Sequence, residues 1–186
     1  MVDEKRKYEL KKRAQGMADT RLRITQAAVD LHGTVGPART TVSAVAERAG
    51  VQRHTVYRHF PTEQDLFAAC SAHFWTAHPW PDTAGWDGLK EGLDELYRWY
   101  EQTEAMLANV FRDAALVDSV PDAMAPLLDF LDDARRALGK GLPRRRVVAA
   151  AIRHAVDFRT WQSLARDGGL SRAQAVRLVS AMVEAA

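Results

Sequence analysis

The sequence predicts an all-α fold of about nine helices, with a small three-helix head followed by a larger helical body. Three observations predict it. Apolar residues recur at helical spacing through the chain, and no stretch alternates as a half-buried strand does. Gly50 separates two short runs that read as helices joined by a tight turn. The stretch Trp75–Gly88, carrying Pro79, Pro81, Gly85 and Gly88, is the clearest loop and domain boundary.

A chain of 186 residues can bury a sizeable core, or join one small domain to a larger one. With 47% hydrophobic and 27% charged residues it reads as soluble and globular. Its apolar stretches fall well short of the ~20 residues a membrane span needs, and a charged N-terminus without an apolar core predicts no secretory signal. Cys70 is the single cysteine, so an internal disulfide is excluded and no metal cluster is expected. The expectation is a cytoplasmic protein with no cofactor and no metal. The net charge of +2 is unevenly divided: residues 1–60 hold twelve Lys/Arg against six Asp/Glu, and residues 61–186 hold fourteen against eighteen. A basic first third beside an acidic remainder is the footprint of a nucleic-acid module attached to something else.

Residues 1–19 carry Lys5, Arg6, Lys7, Lys11, Lys12 and Arg13. Two readings stay open, a solvated and partly disordered tail or an arm that follows DNA backbone or minor groove. Met17 is an alternative start. From Thr20 to His32 the spacing of Leu22, Ile24, Ala27, Ala28 and Leu31 predicts a helix with one apolar face, ended by Gly33, Gly36 and Pro37. Arg21 and Arg23 near its start either approach phosphates or are simply solvated.

Residues 40–60 predict two short helices, Val42–Ala49 and Gln52–His59, whose Val45, Ala46, Ala49, Val51, Val56 and Phe60 converge on a small core. Thr41 is placed to cap the first. The outer face of the second presents Gln52, Arg53, His54, Thr55, Tyr57 and His59, all able to hydrogen-bond and none acidic. Such a helix suits the major groove, where Arg and Gln make bidentate contacts to base edges. These six residues with Thr41 are the candidate DNA-binding set.

Thr62 and Asp65 predict a capped start for a fourth helix, with Leu66, Cys70, His73 and Phe74 at helical spacing. Trp75, Trp80 and Trp86 are expected to pack over the junction of head and body. Beyond the loop, Leu89, Leu93, Leu96 and Tyr100 mark one helix, and Met106, Val110, Ala114 and Val117 a second. Pro121 is expected to open a third, which runs to Leu138. Another is expected from Pro143 to about Arg166, apolar around most of its circumference, and a last one follows the Ser171/Gln174 capping box. The apolar surplus of these two C-terminal helices predicts a four-helix dimer interface, with internal core as the alternative.

No motif carries a reaction: there is no Gly-rich phosphate loop, nucleophile elbow or metal-ligand spacing. His154 and Asp157, three apart, can hydrogen-bond on one helix face but lack a nucleophile. Arg144, Arg145 and Arg146 are expected in the first turn of a helix, either solvated near acids such as Asp132 and Asp133 or forming an anion site.

The run Gly50-Val51, then Thr55-Val56-Tyr57-Arg58-His59-Phe60-Pro61, then Asp65-Leu66-Phe67, resembles the DNA-binding domain of TetR/AcrR-type transcriptional regulators over roughly residues 20–70. The chain departs from that pattern at Gln52, where the family commonly has Ser, at His54, where it has Gly, and at Glu63, where it often has Lys. The resemblance implies a basic extension over residues 1–19, a helix-turn-helix DNA-binding domain over 20–66, and a helical ligand-binding and dimerisation domain over 67–186. It implies a homodimer on a palindromic double-stranded operator, and a repressor released by a small, largely apolar effector. The candidate effector-binding residues are Trp99, Tyr100, Met106, Phe111, His154, Asp157, Phe158 and Trp161. The alternative is a ligand-binding or interaction protein with only nonspecific DNA affinity.

Overall fold

The computed structural model describes residues 2–186, without the side chains of Val2, Asp3 and Lys5. Met1 and the side chain of Lys5, counted above in the basic run, therefore lie outside the described residues. Nine α-helices and no strands are found among the described residues. The chain divides into two compact units, Met1–Ala77 with Ala108–Ala123, and His78–Leu107 with Met124–Ala186.

In the first unit, α1 runs Val2–Thr34, far beyond the expected start at Thr20. Residues 4–19 are rich in Lys and Arg, with Glu4, Glu9, Leu10, Ala14 and Ala18 among them, all strong helix formers, and they contain no proline, so Gly16 is carried within the helix. Their described side chains are exposed, so propensity rather than burial makes this stretch helical. From Ile24 onward α1 packs its apolar stripe on α2 (Val42–Ala49), α3 (Arg53–His59) and α4 (Glu63–Ala77). The shared core is Ile24, Ala28 and Leu31 against Val45, Ala46, Val56, Phe60, Leu66 and Cys70. Each large apolar side chain buried there contributes about 1.5–3 kcal/mol. Leu22, placed on the apolar face by spacing alone, is exposed, and Thr25 is buried in that stripe.

α1 ends where Gly36 takes φ 93°, a backbone that side chains with a Cβ resist. A Cβ there would also collide with the Arg112 guanidinium and the Asp113 carboxylate. The last turn of α5 (Leu89–Asp113) supplies the partners for the freed backbone. Asn109 Nδ2 donates to the His32 and Gly33 carbonyls at 3.0 and 2.9 Å, and the Ala38 N–H donates to Asp113 Oδ2 at 3.0 Å. Arg112, bonded to both Asp113 and Asn109, holds that carboxylate below the ordinary Asp range.

The two helices expected over 89–117 are one, because Glu101–Ala105 contains no breaker and Thr103 donates back to the Trp99 carbonyl. α6 spans Ser119–Leu138, so Pro121 falls in its first turn rather than opening it. The helix expected from Pro143 to Arg166 is broken. It forms α7 (Arg146–Val156) and α8 (Phe158–Gln162), continued by a single π-turn over Ser163–Asp167. At Asp157 the backbone is extended, and its carboxylate caps α8 by accepting from the Arg159 N–H at 2.7 Å. α9 (Arg172–Glu184) starts at the expected box, with Ser171 and Gln174 bonded reciprocally. In the second unit, Leu93, Leu96, Tyr97, Tyr100, Leu127, Leu131, Ile152, Trp161, Val176 and Val179 are all buried, and the rings of Tyr100 and Trp161 lie 5.7 Å apart.

Candidate nucleic-acid interface

The turn between α2 and α3 has the form its sequence asks for. Thr41 caps α2 by accepting from the Ala44 N–H at 3.1 Å. Gly50 is left-handed at φ 64°, and the Val51 N–H returns to the Ala46 carbonyl at 2.9 Å. Ala46 and Val56 are buried where the two helices meet.

α3 then presents its face. Gln52 is the residue before its first turn, and Gln52, Arg53, His54 and Tyr57 are exposed. Arg53 and Tyr57 lie one turn apart, so they share one edge of the helix. Thr55 is half-buried on the flank toward the core. Thr41 stays exposed, its oxygen occupied by the cap. His59 does not join the face: it is half-buried in a cleft with Arg21, Pro61 and Asp65. Its imidazole pKa is lowered, by burial first and then by the neighbouring charges of Arg58 and Arg21.

Arg58 stands outside the candidate set, and Arg21 has a different place from the expected one. Arg58 is exposed one turn beyond His54, and the signal was its spacing of four. Arg21, expected at phosphates or in solvent, lies over the Phe60 ring at 4.0 Å and donates to the His59 carbonyl at 2.5 Å. It thus caps the C-terminus of α3 and fixes that helix against α1. Thr62 and Asp65 bond reciprocally at the start of α4, as their spacing predicts.

The candidate effector residues fall into three groups. Trp99, Tyr100, Phe158 and Trp161 are buried and form one aromatic cluster in the second unit, with centroids 5.3 Å apart for Tyr100 and Phe158 and 5.7 Å for Tyr100 and Trp161. Met106 is buried in the same unit. His154 and Asp157 are exposed and are not bonded to each other: His154 Nδ1 meets the Thr160 hydroxyl at 3.2 Å, and Asp157 caps α8. Phe111 belongs to the first unit. Of the loop tryptophans, Trp80 stacks on Phe130 and Trp86 donates to Glu95, both within the second unit. Trp75 lies against Phe74 in the first. Among the described residues no helix is long and apolar enough to cross a membrane.

A short helix bearing an acid-free polar face, held across a glycine turn by two supporting helices, defines a helix-turn-helix DNA-binding protein. Residues 24–70 match the model of the family described as bacterial regulatory proteins, tetR family. Over 158 residues the chain is 27% identical to the HTH-type transcriptional repressor Rv3405c of Mycobacterium tuberculosis and to the HTH-type transcriptional regulator Mb3439c of Mycobacterium bovis, covering 84% of this chain and 80% of each relative. The fold is similar to that of a TetR family transcription regulator from Marinobacter aquaeolei, at TM-score 0.55 and 16% identity over 91% of this chain and 97% of the other. It is also similar to a TetR transcriptional regulator from a Rhodococcus species, at TM-score 0.51 and 23% identity over 90% and 95%. The chain is thus similar to transcriptional regulators of the TetR family, and its helix-turn-helix over residues 24–70 is that of a DNA-binding transcriptional regulator.

Proposed function

We propose that this regulator is a cytoplasmic repressor that binds a palindromic operator as a homodimer and leaves it when a small, largely apolar effector binds. The observation that carries the reading is the exposed, acid-free face of Gln52, Arg53, His54 and Tyr57 on α3. Residues 20–66 read the operator, and 67–186 hold the effector and the dimer contact. A relative of similar length carries the name of a transcriptional repressor, which supports the sign of regulation. Apolar Val147 on α7 and Leu178 and Met182 on α9 remain exposed in the single chain and support pairing through the two C-terminal helical segments. The effector reading rests on the aromatic cluster. The Trp161 indole N–H is buried within it and finds no hydrogen-bond partner among the described residues, and an acceptor on the effector would satisfy it. An effector that prefers the form weaker on DNA lowers operator affinity by its differential affinity for the two forms.

The deciding experiment is an equilibrium titration against DNA from upstream of the protein's own gene, with a scrambled duplex as reference at the same salt. A preference of roughly 10³-fold or more establishes specific recognition, and release by added effectors can be read in the same assay. Equal binding to both duplexes that vanishes as salt rises means that only backbone charge is read.

A further inference from the structure

The second unit carries a groove that shares no residue with the exposed face of α3. It has a volume of about 1000 Å³ and lies between the last turn of α6 and the start of α7, with Leu142, Val148 and Ile152 in its apolar lining. Its polar lining is almost wholly cationic. Arg135 and Arg136 are each paired with an acid one turn back, Asp132 and Asp133. Lys140, Arg144, Arg145, Arg146 and Arg153 also line it, and none of these forms an ion pair among the described residues. The groove shares no residue with the aromatic cluster.

Two independent features make this arrangement unfavourable while the groove is empty of anions. Like charges gathered around one concavity repel, and low-dielectric walls focus their field. α7 also begins badly: Arg145 stands at the cap position with no side-chain bond to the first turn, and that turn contains no acid. Its first N–H groups thus lack a capping side chain, and the positive end of the helix dipole faces arginines. One anion seated among these groups reverses both costs, since arginine forks and helix N–H groups recognise the same oxyanions. The volume is that of a site for a drug-sized molecule. The apolar side of the lining suits a ligand whose remainder is uncharged.

We propose that this groove binds a small organic polyanion, bearing phosphate or carboxylate groups held by Arg144, Arg145, Arg146 and Lys140, with its uncharged part against Leu142 and Val148. The site shares no residue with the operator-reading face or the aromatic cluster, so its test does not depend on the effector reading.

The test is isothermal titration of the full-length protein with ATP, inorganic tripolyphosphate and citrate at fixed, near-physiological ionic strength. Saturable binding of one molecule per chain is expected for at least one probe, and comparison of the three separates phosphate from carboxylate recognition and shows what the uncharged part adds. The double variant Arg144→Ala/Arg145→Ala should weaken binding at least about tenfold. A second variant guards against loss of folding: Arg145→Asp installs a capping side chain, so thermal stability should rise while binding is lost. No saturable binding to any probe overturns the proposal, as does binding that both variants leave unchanged. Equal loss of duplex DNA affinity in both variants also overturns it, because the groove would then be a DNA contact.

Discussion

Tyr100 donates its phenolic hydrogen to the Val156 carbonyl at 2.5 Å, and Tyr97, about one turn earlier on α5, donates to the Ala155 carbonyl at 2.9 Å. Val156 ends α7, and with the backbone extended at Asp157 these two carbonyls lose their helical partners. Both tyrosines are fully buried, and burial raises both phenol pKa values, so the groups stay protonated and able to donate. The break between α7 and α8 is therefore closed from another helix.

Removing one of these hydroxyls should expose its worth. Tyr100→Phe keeps the ring but leaves a buried carbonyl unpaired, at an expected cost of about 1–3 kcal/mol. Urea denaturation of the variant and the parent measures it. An unchanged midpoint would mean that the carbonyl finds another donor.

His32 should make stability depend on pH in the mildly acidic range. Burial lowers its pKa to about 4, against an opposing pull from Asp113. The unfolded chain takes up the proton near pH 6.5, whereas the folded chain does not until about pH 4. The contribution is thus complete above pH 6.5 and shrinks as pH falls toward 4, by up to about 1.4 kcal/mol per unit. His32→Gln should flatten that slope, read as the parent-to-variant difference in unfolding free energy at pH 7 and pH 5. Parallel curves for the two proteins would contradict it.

Arg53→Ala should cost roughly 1–3 kcal/mol on the preferred operator and relax base choice at one position, because an exposed guanidinium on α3 can bond a guanine edge. Arg21→Ala should act differently, since Arg21 braces the end of α3: it should lower stability as well as DNA affinity. Binding curves on operator and scrambled duplexes separate the two. Equal loss on all DNA for Arg53→Ala would assign that residue to phosphate.

Two neighbouring positions on α9 make a paired prediction. Leu178 and Met182 lie one turn apart on the exposed side of α9, whereas Val179 is buried. Leu178→Asp should yield folded monomers that bind operator weakly. Val179→Asp buries an unpaired charge and should unfold the chain instead. Sedimentation of Leu178→Asp is the check, and a stable dimer would remove α9 from the interface.

The caps and the tight turn in both units can be read from residues close together in the chain. Thr41, Gly50, the Thr62/Asp65 pair and the Ser171/Gln174 pair act over three or four residues, so their caps and turn follow from spacing. The start of α1 is not legible from apolar spacing, because residues 4–19 are helical without a buried stripe. Nor is the continuity of α5, because Glu101–Ala105 carries the helix across a stretch whose one buried side chain is the polar Thr103.

What the sequence by itself determined is the all-α class, the helix-turn-helix and the acid-free face of α3, each a product of short-range spacing and residue type. Tertiary structure alone decided that α7 stops at Val156, where the supporting hydroxyl comes from 56 residues away. It decided that Arg21 braces α3 across 38 residues rather than facing phosphate. It also decided that the arginines before α7 meet those of α6 around one groove. Local patterns specify which hydrogen bonds a segment can make for itself, but a freed carbonyl or an unpaired cation is settled only by what the fold brings beside it.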